Sequence, residues 1–418
     1  MEECFFRPPG PPGLPFIGNL LHLDKSAPHR YLWQLSKKYG ALMFLRLGFV
    51  LTLVVSYARM AEEVMRTHDL EFSGRPSLLG QQKKICALHL FNSKTVQSFR
   101  SIREDEVSRM IEKISKFASA SELVNLSETL HFLTSTIICR IAFSKRYEDE
   151  GWERSRFHTL LSEAQAIMGS FFFKDYFPFM GWVDKLTGLT ARLQKILREL
   201  DLFYQEIIND HLNPERTKYE QEDITDILIG GTDTLAAILV WAMTALMKDP
   251  IEMKKAQEEI RNIGGKKGFR DEDDIEKLPY LKALTKETMK LHPPIPLIPR
   301  ATLENCSVNG CEVPPKTLVF VNAWAIGRDP ESRENPHEFN PEPFLGTFID
   351  FKGQHYGLMA FRAGRRGCPG IYLRTVIIQL ALGNLLYSFD WEMPNGTLHG
   401  TTWPTCWKHP WRFPPVAV

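Results

Sequence analysis

The decade Phe361-Arg-Ala-Gly-Arg-Arg-Gly-Cys-Pro-Gly370, followed at once by an apolar run to Leu386, constrains this chain more than any other stretch. Glycines at 364, 367 and 370 let the backbone turn tightly and approach a flat partner closely, since no Cβ stands in the way. Cys368 stands just before the predicted helix, where unpaired N–H groups and the positive dipole end favour a thiolate. Arg365 and Arg366 can meet carboxylates, and Phe361 can cover the sulfur. A thiolate in a glycine loop, with an aromatic cover and arginines for propionates, suits an iron porphyrin. A buried structural cysteine beside a basic turn would explain Cys368 alone. It does not explain Phe361, Gly364, Arg366, Cys368 and Gly370 together.

Helical periodicity dominates the remainder. Phe99, Ile102, Val107, Met110, Ile111 and Ile114 mark one face of a helix predicted over 96–117. Further helices are expected near 28–39, 58–68, 126–142, 152–168, 189–212, 223–248, 250–262, 278–291 and 371–388. Strand signals are confined to 41–56, turning at Gly48, and to 305–321, turning at Asn309-Gly310. The expected fold is therefore mainly α with small β-sheets, an α+β chain. The opening Arg7-Pro-Pro-Gly-Pro-Pro-Gly-Leu-Pro-Phe-Ile-Gly-Asn19 cannot be helical, because proline removes donors and fixes the backbone. We expect a stiff hinge over 1–27 and a single catalytic domain over 28–418 whose tail changes character from about 397.

Charge excludes some partners. With 51 basic and 50 acidic side chains, the chain has no basic field for nucleic acid and no acidic tail. Seven cysteines, an odd number without any Cys-x-x-Cys, argue against a disulfide framework and for a reducing compartment. Cys306 and Cys311 read as hairpin residues. No transmembrane span is evident, since the apolar stretch 41–58 is broken by Arg46 and Gly48.

A second chemical signal is Gly230-Gly231-Thr232-Asp233-Thr234, inside a helix that is apolar on most sides and so expected to be buried. Two adjacent glycines there cost roughly 1 kcal/mol each against alanine. A buried helix bearing that cost, with an acid and a hydroxyl, suggests a ligand pressed against it. A helix start capped by Thr or Asp is the plainer alternative.

The decade 361–370 resembles the haem-binding loop of the cytochromes P-450, Phe-x-x-Gly-x-Arg-x-Cys-x-Gly, and the likeness runs from the proline-rich hinge to about Met393. Lys316 to Pro330 looks like the plant microsomal, A-type members. The resemblance implies the cytochrome P-450 fold, haem b with Cys368 as the iron ligand, and Arg366 and Arg300 as propionate partners. It also implies a distal helix whose Asp233 and Thr234 relay protons during oxygen activation. Electrons would come from NADPH through cytochrome P-450 reductase, and one oxygen atom of dioxygen would enter a small apolar substrate of the plant secondary-metabolite kind. The implied location is the cytoplasmic face of the endoplasmic reticulum membrane. With no N-terminal anchor in the sequence, contact with the membrane is expected to be peripheral.

Several positions depart from the family pattern. Glu287-Thr-Met-Lys290 matches the Glu-x-x-Arg helix motif, but lysine replaces the arginine, and a point-like ammonium does not reproduce a planar fork. Phe339-Asn-Pro-Glu-Pro-Phe344 has Pro343 where the pattern has an arginine. Arg362 stands where glycine is common, and the Trp-x-x-x-Arg helix expected after Gln82 is missing. On this reading Glu287 lacks fork-shaped donors, haem is held weakly, and arginines at 290 and 343 would restore it. A degenerate relative that binds haem poorly is thus a second reading. A haem-thiolate isomerase or dehydratase is a third, disfavoured by the Asp233-Thr234 pair.

Overall fold

Pro28, Pro250 and Pro279 each open a helix at its first position, where the missing donor does no harm. The computed structural model describes all residues except 1–7, 25, 77–92, 144–158, 161–162, 165, 168, 212–223, 264–267, 352–354, 362 and 393–418. Its long helices are α1 (Pro28–Tyr39), α2 (Arg100–Ser119), α3 (Leu126–Phe143), α4 (Leu189–His211), α5 (Ile224–Lys248), α6 (Pro250–Asn262), α7 (Pro279–Leu291) and α8 (Ile371–Ser388). Asp249 caps α6 by accepting from the N–H groups of Ile251 and Glu252. No side chain of its own segment caps α7. Instead Glu259 of α6 accepts from the N–H groups of Tyr280 and Leu281 at 2.7 and 3.0 Å, so the two helices are joined end to side.

Among the described residues, six strands form two sheets: β1 (Leu42–Leu47), β2 (Val50–Val55), β3 (Leu297–Ala301), β4 (Cys306–Val308), β5 (Cys311–Val313) and β6 (Leu318–Asn322). The larger sheet has the order β1-β2-β6-β3, with β2 and β6 parallel and the other pairs antiparallel. Thr52 lies opposite Leu318, and Arg300 opposite Val319. The mainly helical α+β expectation is met. The approach segment is ordered along β1, where Phe44 N–H donates to Pro9 O and Asn19 exchanges bonds with both backbone groups of Arg46. Gly18 has φ +64, and a Cβ there would stand 2.0 Å from Arg46 O.

Three expectations change. The helix over 58–68 is α-helical only from Ala58 to Glu62 and continues as a π turn, Glu63–Thr67. The helix over 96–117 breaks at Phe99 into Ser93–Ser98 and α2. The strand signal 305–321 holds a hairpin of three-residue strands, and Pro314-Pro315 separates it from β6 in the other sheet. α8 is long and apolar enough to cross a membrane, with mean hydropathy 1.2, yet 61% of it is buried inside the protein. The helix expected over 152–168 falls largely outside the described residues.

Two apolar cores meet at the cysteine loop. One unites the faces of α2, α3, α5, α6, α7 and α8 and includes Phe361; the other packs the sheet against 58–67 and includes Ala363. Residues two apart in one loop thus belong to different cores. The loop is clamped at their seam.

Candidate active site

Gly364–Arg366 forms a single 3-10 turn that precedes Cys368 and α8. Cys368 N–H donates to Phe361 O at 2.9 Å, and Gly367 N–H to Gly364 O at 2.9 Å, so the loop closes on itself. Phe361 is buried beneath it, edge-on to Phe351 with centroids 5.4 Å apart. Gly364 has φ +66, and a Cβ would meet Asp69 Oδ1 at 2.1 Å. That glycine is required twice over, by conformation and by contact. Gly370 is the N-cap of α8, and its C=O accepts from Arg374 N–H.

Asp69 is a functional residue the sequence did not disclose. Its carboxylate accepts from Arg365 N–H at 2.9 and 3.2 Å and from Arg300 Nη1 at 3.3 Å. Arg300, on β3, is 1% exposed and also donates through Nη2 to Ala363 O. Arg366 donates through Nε to Ser73 O at 2.7 Å. Burial, then the field of Arg366, lower the Arg300 pKa against the pull of Asp69.

On the glycine–acid helix, a Cβ on Gly231 would come within 3.1 Å of Ile138 Cδ1, so this glycine lets α3 approach α5 closely. Asp233 Oδ1 lies 3.5 Å from Nδ1 of His131 on α3. Burial holds that imidazole down to about 4, so the contact is polar rather than ionic at neutral pH. Thr234 follows on α5, which packs against α8.

A family model described as cytochrome P-450 matches residues 8–84, 79–223 and 217–403. The chain belongs to the cytochrome P-450 family. It is 47% identical to 6,7,8-trihydroxycoumarin synthase of Pastinaca sativa, over 93% of this chain and 87% of that protein. Identity to 5-OH-xanthotoxin synthase of Ammi majus is 46%, over 94% and 87%. Strychnine-11-hydroxylase of Strychnos nux-vomica is 42% identical, over 94% and 86%. As a cytochrome P-450 the chain is an oxidoreductase that uses haem b, with electrons supplied through an NADPH-dependent reductase.

The residues present fit that haem. Arg300 Nε is buried without a hydrogen-bond partner, and Arg366 is close enough to repel it. Two guanidinium groups in mutual repulsion, one with an unused donor, suit a carboxylate-bearing ligand. The cytochrome P-450 features at Arg362 and over 77–92 lie outside the described residues.

Glu287 corrects the sequence reading. Its fully buried carboxylate is not short of an arginine: Arg333 Nη1 donates to Oε1 at 2.7 Å and to Oε2 at 2.8 Å. Asn340 N–H adds a bond to Oε1 at 3.2 Å. Burial raises the Glu287 pKa, while Arg333 and then Lys290 pull it back. Lys290 acts through its field, and burial lowers its own pKa. Only a basic residue ten positions before Pro343 could have hinted at this pair.

Proposed function

We propose that the chain is a haem-thiolate monooxygenase of plant microsomal type, inserting one oxygen atom from dioxygen into a small apolar secondary metabolite. The observation that carries this reading is Cys368 in a closed glycine loop at the start of α8, with Arg300 Nε unused beside it. Bound haem would supply the oxygen chemistry, which a thiolate ligand favours by pushing electron density toward the O–O bond. Cys368 provides that thiolate, and the buried Phe361 ring keeps water from the sulfur side. Arg300 and Arg366 take the propionates. Gly364 lets the turn sit against Asp69, and Gly370 opens α8 two residues past the thiolate. On α5, the Thr234 hydroxyl positions a water, and Asp233, steadied by His131, passes protons toward it.

The names of the three relatives speak of a trihydroxycoumarin, a hydroxylated xanthotoxin and strychnine. We extend that class, small plant metabolites, to this chain. Its reductase is NADPH–cytochrome P-450 reductase, and its place is the cytoplasmic face of the endoplasmic reticulum membrane. Support for the membrane comes from an apolar rim: Phe16, Phe49, Phe179, Trp182 and Leu186 are all exposed. The reading of a degenerate relative loses a main ground, since Glu287 has its arginine.

The test is a reduced-minus-carbon-monoxide difference spectrum of the purified chain and of Cys368→Ala. A thiolate-type band in the parent, lost in the variant, is expected. A band surviving in Cys368→Ala would assign the ligand elsewhere, and a parent without haem would overturn the proposal.

A further inference from the structure

Arg333, Glu287 and Asn340 close a ring of hydrogen bonds. The carboxylate accepts from Arg333 Nη1 through both oxygens and from Asn340 N–H, while Arg333 Nη2 donates to Asn340 O at 2.8 Å. Glu287 is fully buried, and the Arg333 side chain is 12% exposed. Both carboxylate oxygens and both backbone groups of Asn340 are therefore paired within the ring. Pro343, three residues past Asn340, is exposed and has no donor to offer. Among the described residues, no hydrogen bond or close ion pair joins Lys290 to Glu287, which it reaches through its field.

The ring is one of three fastenings between α7 and the stretch 327–340. A Cβ on Gly327 would meet Lys290 O at 2.1 Å, so backbone touches backbone there. Arg328 Nη1 donates to Leu291 O. α7 in turn packs on α8, the helix that begins just after Cys368. Whatever fixes Glu287 therefore helps to fix the platform of the cysteine loop.

We infer that Arg333 is the positioning residue that holds Glu287, taking over from a different place in the chain the part that the family pattern gives to an arginine at 343. Pro343 is then a tolerated change rather than a defect. This deepens the haem-thiolate reading and rests on it for the link to haem, but the Arg333–Glu287 coupling itself does not need haem.

The experiment compares the parent, Arg333→Ala, Pro343→Arg and the double variant Arg333→Ala/Pro343→Arg as purified holoproteins. Haem-to-protein ratio, the thiolate-type share of the carbon monoxide spectrum and the thermal midpoint are measured. We expect Arg333→Ala to lose at least about half of the haem and to lower the midpoint, because a buried carboxylate is stranded. Pro343→Arg alone should change neither, and the double variant should recover most of both. Side-chain bulk at 333 cannot produce that recovery; only a guanidinium returned to Glu287 can.

Should Arg333→Ala fail to fold, Arg333→Met/Glu287→Gln keeps the question open to test, since it strands no charge. It should fold and unfold at a higher midpoint than Arg333→Met alone. An unchanged haem ratio and midpoint in Arg333→Ala overturns the inference. So does a double variant no better than Arg333→Ala, or a neutral pair no better than Arg333→Met. If the parent takes up no haem, the enzymatic reading fails, while the midpoints of the haem-free forms still report the coupling.

Discussion

At the scale of single residues, the cysteine loop depends on a carboxylate 299 positions earlier in the chain. Asp69 neutralises Arg300 and accepts the Arg365 N–H, joining β3 to the turn before Cys368. Hydrogen bonds to charged groups contribute about 1.5–3 kcal/mol. Asp69→Ala should lower the unfolding free energy by about that amount in urea titrations, and Asp69→Asn, which keeps an acceptor, by less. A loss under about 0.5 kcal/mol for Asp69→Ala would remove Asp69 from the loop's support. The contrast with Cys368 explains what a sequence can disclose about such a site. Cys368, Phe361 and the glycines act within ten residues, so spacing alone exposes them. Asp69 and Arg333 act across 296 and 46 positions, and no local pattern records a partner that only tertiary folding brings near.

At the scale of elements, the helices were legible because a buried face recurs every three or four residues over many turns. β3 was not, since it is five residues long and carries Pro299. Its place at the edge of the sheet is what tolerates a proline. Nor could periodicity show that Gly231 serves the α3–α5 contact. That contact carries a pH dependence. Burial holds His131 at about 4, and His29 in α1 at about 4 by burial and then by repulsion from Arg30 and Arg328. Both values lie below the ordinary 6.5, so as pH falls the unfolded chain takes up protons that the folded one refuses. Stability is full above 6.5 and is lost on the way down to about 4. At about pH 5 each imidazole should lower stability by on the order of 2 kcal/mol relative to about pH 7.5. Urea unfolding across that range should show a shallower decline for His131→Gln. Parallel curves for parent and variant would place the acid sensitivity elsewhere.

At the scale of the whole molecule, three remote segments form one face. Gly48 N–H donates to Ile17 O, Phe49 N–H to Tyr176 O, and the Phe49 ring lies 6.1 and 6.3 Å from those of Phe177 and Phe179. Phe16, Phe179 and Leu186 stand 71%, 83% and 78% exposed on it. If this face seats in a bilayer, the chain should float with phosphatidylcholine vesicles, and Phe179→Ser/Leu186→Ser should lower the bound fraction at least about tenfold. Equal flotation of both forms, or of neither, would count against it. The parallel pairing of β2 with β6 has a consequence during synthesis. The hairpin of β1 and β2 is complete by Val55, but its partner begins only at Leu318. At roughly 5–20 residues per second, a ribosome needs on the order of 15–50 s to deliver β6. Through that interval the open edge of β2 is a template for any extended chain nearby, and a newborn molecule must be shielded until its own β6 arrives.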